Sequence, residues 1–152
     1  MYTELTMEKN IIQKIVLAGA VLRGNKILIL QRHANESVYP NMWELPSGKR
    51  EPLETSAQGL LREVQEEAGL TVSILMPYYV FEYKIEKEIE IRDTTQINFL
   101  VSSDENAEVL LSEEHQAFKW ISVDEVDQYN VTEETKKVIQ KAFEVQILLE
   151  KK

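Results

Sequence analysis

Glu63, Glu66 and Glu67 lie three and four residues apart in one amphipathic stretch. With Ala57 at zero and about 100° per residue, they project at about 240°, 180° and 280° from a helix axis. Leu60, Leu61, Val64 and Ala68 fall within roughly 60° of Ala57 and are the expected core face. Like charges three and four residues apart destabilise a helix by about 0.2–0.5 kcal/mol per pair. The position late in the helix is also unfavourable for anions. Arg62 is the one cation beside them. Two readings fit: a solvated acidic face, or a site for a bound cation that cancels these penalties. Clustered hard oxygen ligands suit Mg²⁺ or Mn²⁺.

The helix that must carry these groups spans Thr55 to Leu70. Thr55 and Gln58 have capping-box spacing at its start, and Gly69 offers a left-handed stop. Ahead of it, Ile15–Leu22 and Lys26–Gln31 read as a buried hairpin through Arg23-Gly24-Asn25. His33–Asn41 is a loop. Met42–Leu45 is a short strand ended by Pro46-Ser47-Gly48. After the helix come two long strands, Thr71–Ile85 and Glu88–Val101, and a charged loop, Ser102–Glu108. Phe118–Ile121 is a further strand and Val123–Val126 a helical turn. The last helix runs from Val131 to about Leu149, with Val138, Ile139, Phe143 and Ile147 on its apolar stripe. This order fits an α/β (α+β) layered sandwich around a mixed sheet. With no repeat or linker, residues 1–152 read as one domain, residues 1–10 being a polar extension.

Composition narrows the chemistry. Hydrophobic residues make up 43% of the 152 and charged residues 28%, an ordinary globular balance. The absence of Cys excludes disulfides, zinc–thiolate and iron–sulfur sites, and cysteine nucleophiles. A net charge of −9 argues against nucleic acid polymers as partners, although a cation can still recruit small phosphorylated ligands. No apolar run approaches the roughly 18 residues of a membrane span. Residues 1–10 resemble neither a signal nor a transit peptide. The expected location is therefore cytoplasmic, with no membrane partner.

From Gly48 the chain reads GKREPLETSAQGLLREVQEEAGL. This resembles the Nudix box: Gly, five residues, Glu, seven residues, then Arg-Glu-apolar-x-Glu-Glu-x-Gly-apolar. Gly48, Glu54, Arg62, Glu63, Val64, Glu66, Glu67, Gly69 and Leu70 match all nine specified positions over 23 residues. The lead-in Trp43-Glu44-Leu45-Pro46-Ser47 and the later Glu113-Glu114-His115 before Phe118-Lys119-Trp120 are similar to family segments too. Two residues depart from common family choices. Ser47 stands where the first Gly of a pair is frequent, and Leu53 replaces a frequent Gly that can serve a positive φ. Gly59, inside the helix, costs about 1 kcal/mol against Ala, and is either tolerated or leaves room for a close neighbour.

The resemblance implies a Nudix-type α/β/α sandwich with a central curved mixed sheet. It implies metal-assisted attack of water on a phosphorus of a nucleoside diphosphate-linked substrate. Mg²⁺, or Mn²⁺, is the implied cofactor. Its implied ligands are Glu63, Glu66 and Glu67 with a backbone carbonyl of Ser47 or Gly48, and Glu63 or Glu66 is the implied base. Arg62 orients a carboxylate with Glu54 as partner, and Glu114 completes the metal site or acts as base. Arg32, His33 and Thr135 are candidate substrate contacts. Tyr79, Phe81 and Tyr83 alternate onto one strand face, where they pack the core or stack a base. Markers of ADP-ribose, diadenosine-polyphosphate and coenzyme A subfamilies are missing. The expected substrate is therefore a (deoxy)nucleoside triphosphate, an oxidised one such as 8-oxo-dGTP included. An ADP-ribose or NDP-sugar pyrophosphatase is the alternative, and a nucleotide-binding sensor without turnover the third reading. A homodimer is common among such proteins.

Overall fold

The computed structural model describes residues 8–151. Its elements run β1 (Asn10–Arg23), β2 (Lys26–Arg32), β3 (Trp43–Glu44), β4 (Ser47–Lys49), α1 (Ser56–Ala68), β5 (Val72–Glu86), β6 (Glu90–Ser103), β7 (His115–Ile121), a 3₁₀ helix (Val123–Gln128) and α2 (Glu133–Glu150). The strands make one mixed sheet in the order β3-β2-β1-β6-β5, with β4 added to β1 and β7 to β2. β1 and β6 run parallel, and the other pairs are antiparallel. β1 meets β2 only at Leu22 and Arg23, while Val16–Ala18 pair with β4. That divergence curls the sheet into a half-barrel.

Alternation along the strands supplies a core on each face. Leu17, Val21, Leu28 and Leu30 pack with Leu60, Val64 and Ala68 of α1. Ala20, Leu22, Ile27 and Ile29 pack with Val138, Ile139, Ala142 and Phe143 of α2. The result is the expected three-layer arrangement. The expected caps of α1 are present: Thr55 and Gln58 close a reciprocal capping box, and Gly69 ends the helix at φ 68°.

Several expectations need correction. β1 already begins at Asn10, and Lys9 pairs with Glu86 at 2.9 Å, so these two residues of the expected extension are tied to the sheet; residues 1–7 of it lie outside the described residues. Ser47–Lys49 is a strand and not merely a strand end, because Val16–Ala18 offer it a pairing edge. Leu61 and Ala57 are exposed, and the buried arc of α1 is Gly59, Leu60, Glu63, Val64, Glu67 and Ala68. The helix is turned by roughly 60° from the purely apolar solution, so that two carboxylates face inward. Ile147 is exposed, since α2 outruns the sheet beneath it.

Leu53 adopts φ 66° with its side chain fully exposed. The left-handed conformation costs a non-glycine residue about 1–2 kcal/mol, and here no burial offsets it. Leu53→Gly is expected to raise stability by about 0.5–1 kcal/mol after the greater chain entropy of Gly in the unfolded state is subtracted. Chemical denaturation checks this; an unchanged or lowered midpoint would show that the loop relaxes around Leu53 without strain.

Candidate active site

The site forms where α1 crosses β4. Glu67, only 6% exposed, points from the buried arc of α1 to the backbone N–H of Ser47, which donates to it at 2.9 Å. Glu63, 9% exposed, lies directly over Gly48. A Cβ on Gly48 would overlap the Glu63 carboxylate. Gly59 serves a similar purpose on the same face: a Cβ there would meet Leu17 at 2.6 Å and Glu54 at 2.8 Å. The glycine inside the helix therefore lets α1 settle close to β1. Gly48→Ala is expected to cost about 1–3 kcal/mol, the usual penalty of overpacking. A urea titration checks it; an unaltered midpoint would mean that Glu63 swings aside freely.

Arg62 ties the carboxylates together. Its Nε and Nη2 donate to Glu54 at 2.7 and 2.9 Å, and its Nη1 to Glu63 at 2.7 Å and Glu66 at 3.2 Å. Nη2 also reaches the Lys49 carbonyl at 3.2 Å. This fork needs a planar guanidinium. The hydrogen bond from Arg62 holds the Glu54 carboxyl at about 2, and Glu54 in turn leads in raising the pKa of Arg62. Burial raises the Glu63 carboxyl against the pull of Arg62. Burial pushes Glu67 up to about 10; the Ser47 N–H opposes this, and the charges of Glu44, Glu114 and Glu63 add to it. Carboxylates crowded in this way either take up protons or share a compensating cation, and all of them ionise together only with the cation. Oxygen-rich donors fit Mg²⁺ or Mn²⁺. Among the described residues, carboxylate oxygens of Glu67 and Glu114 and a ring nitrogen of His115 lie within 4.8 Å of one another.

These groups line a cavity of about 730 Å³ that also receives Arg32, Phe81, Tyr83 and Thr135. Gly48, Arg62, Glu63, Glu66, Glu67 and Glu114 thus come together on it. Arg32 reaches it with its guanidinium engaged, by Glu36 at 3.0 Å, Glu44 at 3.2 Å and the Val38 carbonyl at 2.8 Å. His33 does not contribute to the lining; its backbone N–H donates to the Glu114 carbonyl at 3.1 Å. Thr135 lies in the first turn of α2, its N–H donating to the Thr132 hydroxyl at 3.0 Å. Tyr79, Phe81 and Tyr83 form a ladder with centroids 6.0 and 5.6 Å apart. Tyr79 and Phe81 pack on the core, and Phe81 and Tyr83 face the cavity.

Sequence reasoning gave no role to Glu44 or to His115. His115 is 3% exposed and its Nε2 lies 2.8 Å from Glu44 Oε2, the same oxygen that Arg32 engages. β2 brings them together, pairing with Glu44 on one side and His115 on the other. A single Glu in a two-residue strand carries no period that would reveal this.

Comparison with known proteins agrees with this geometry. The NUDIX domain model matches residues 14–142. The bis(5'-nucleosyl)-tetraphosphatase [asymmetrical] of Rattus norvegicus is 33% identical over 103 residues, covering 67% of this chain and 70% of the rat protein. The CTP pyrophosphohydrolase of Escherichia coli is 33% identical over 114 residues, covering 75% of this chain and 79% of its own. The crystal structure of a MutT NUDIX hydrolase from Burkholderia pseudomallei superposes with a TM-score of 0.72 at 22% identity, over 85% of this chain and 97% of that one. The box, the curled mixed sheet and these relatives converge: the chain belongs to the Nudix family, as a pyrophosphohydrolase acting on nucleoside diphosphate-linked substrates.

Proposed function

We propose that the chain hydrolyses a nucleoside triphosphate, unmodified or oxidised, to the monophosphate and pyrophosphate, with Mg²⁺ as its metal and Mn²⁺ as a substitute. The observation that carries this reading is the set of carboxylates on one wall of a cavity large enough for a nucleotide. Similarity to the E. coli CTP pyrophosphohydrolase supports the triphosphate. Glu63 and Glu67, with the Gly48 carbonyl, are the ligands in this proposal. When bound, the cation neutralises phosphate oxygens and acidifies a water.

The chain's own residues do the rest. Arg62 holds Glu63 in place by the 2.7 Å hydrogen bond and shares its fork with Glu54. Glu66, with 57% of its side chain exposed, is the most open to water of the three clustered carboxylates of α1, and it takes the proton from the attacking water. Glu114 brings a carboxylate oxygen within 4.8 Å of Glu67, its loop fixed by the His33 N–H, and supplies a further charge to the metal side. Glu44 and Arg32 brace His115 against this wall. Thr135 and Tyr83 face the nucleoside end.

A second reading is favoured by the length of the cavity, which continues past Tyr83 to Ile85 and Arg92. Together with the rat relative it supports a dinucleoside tetraphosphate. A substrate panel with Mg²⁺ and chromatographic product analysis decides between them. It holds unmodified and oxidised triphosphates, diadenosine tetraphosphate, ADP-ribose and NDP-sugars. Turnover concentrated on a triphosphate, with release of pyrophosphate, is the expected result. Preference for ADP-ribose or an NDP-sugar would overturn it, as would nucleotide binding without turnover of any substrate.

A further inference from the structure

The chain holds 17 Lys and Arg against 26 Asp and Glu, yet four cations gather on one stretch of the sheet. Strand register defines the place. Lys49 of β4, Val16 of β1, Gln96 of β6 and Phe81 of β5 form one cross-strand row. Lys14, Thr94 and Tyr83 form the next, and Ile12, Arg92 and Ile85 the third. Side chains two residues apart share a face, and rows lie about 7 Å apart along the strands. Lys87 stands at the end of β5, beyond the third row, where its N–H meets the Glu90 carbonyl at 2.8 Å. Lys49, Lys87 and Arg92 line the same cavity as the carboxylates. After burial, the charges of Lys49, Arg92 and Lys87 act on the Lys14 ammonium to lower its pKa, which places the four within electrostatic reach.

This group is only partly neutralised. Glu90 pairs with Arg92 at 2.8 Å, and its charge also acts on Lys14 and Lys87. Among the described residues, Lys14, Lys49 and Lys87 enter no ion pair. Glu82, Glu86 and Asp93 alternate onto the opposite face of the ribbon. Unpaired like charges on a common wall are costly to hold together, and an anion lying along them relieves the cost. The cavity therefore has two electrostatically opposite regions: carboxylates that need a cation, and a cationic track leading away from them over the Phe81–Tyr83 floor. A phosphate chain bound by its scissile diphosphate at the first region has its continuation guided to the second.

We propose that Lys14, Lys49, Lys87 and Arg92 form a second anion subsite, which binds phosphate beyond the length of a triphosphate and lets the same site admit longer phosphate chains as additional substrates. The proposal rests on the reading that the scissile phosphates lie at Glu63 and Glu67. The variant that tests it is Lys14→Ala/Lys87→Ala, which removes two partly exposed side chains outside the core. Steady-state kinetics are measured for ATP and for diadenosine tetraphosphate in Mg²⁺. The Lys14→Arg/Lys87→Arg variant serves as the charge-preserving control. KM for diadenosine tetraphosphate is expected to rise about tenfold and KM for ATP less than twofold, with kcat for both within twofold and the Arg variant near wild type. An equal rise for both substrates, or none, overturns the subsite. If the wild-type protein hydrolyses neither, the hydrolytic reading is decided separately by the full substrate panel. Calorimetric binding of diadenosine tetraphosphate then decides the subsite: a tenfold loss in the Ala variant supports it, and unchanged affinity overturns it.

Discussion

Glu67→Gln is expected to lower kcat about a thousandfold, to abolish the rise in melting temperature on adding Mg²⁺, and to raise the melting temperature in chelator. The amide fits the space of the carboxylate, and its oxygen can still accept from Ser47, so the fold is retained. What disappears is a buried carboxyl whose ionised form is opposed first by burial and then by the charges of Glu44, Glu114 and Glu63. Without metal it must take up a proton to stay buried at neutral pH, and the amide, which needs none, stabilises the native state. With metal the wild-type protein gains RT ln(1 + [L]/Kd), about 2.7 kcal/mol at a hundredfold excess over Kd, and the variant forgoes it. Calorimetric scans in EDTA and in Mg²⁺, beside a single-turnover assay, separate the three effects. Retention of the Mg²⁺-dependent rise would remove Glu67 from the ligand set.

Glu66→Gln should behave differently, although its neighbour in sequence is Glu67. Its side chain is largely exposed and touches the site through the 3.2 Å contact with Arg62. Loss of a base that takes the proton from the attacking water costs about 10²–10⁴ in rate. The expected result is a kcat lowered within that range, KM changed less than threefold, and the melting-temperature response to Mg²⁺ preserved. If Glu66→Gln instead loses that response, its carboxylate is a ligand, and the base must be sought at Glu63 or Glu114. The two variants thus divide metal retention from proton transfer within one turn of helix.

The box helix was legible because its signals are local. Thr55 with Gln58 and Gly69 mark its ends by short-range hydrogen bonding, and both act as expected. The arc that α1 buries was not, because hydrophobicity places Leu61 inside and Glu63 and Glu67 outside, whereas the site requires the reverse. β4 was missed since Ser47-Gly48-Lys49 has no period of its own and becomes a strand only beside Val16–Ala18. The link from His115 to Glu44 spans 71 residues and exists through the two edges of β2. Arg32 shows a further limit: the sequence offers it as a substrate contact or a strand-end surface residue, but the acids that engage it, Glu36 and Glu44, could not be weighed before the register was known.

The two ends of α1 are fastened by bonds that involve none of its three clustered carboxylates. The Thr55–Gln58 box closes one end, and the Gly69 N–H donates to the Gln65 carbonyl at the other. The scaffold is thus complete before any ion arrives, and ordering the helix subtracts nothing from the ion's affinity. At the proposed metal site, ion exchange is therefore expected to be a matter of solvent access and not of refolding, so that repeated chelation and re-addition of a divalent ion should leave the fold intact.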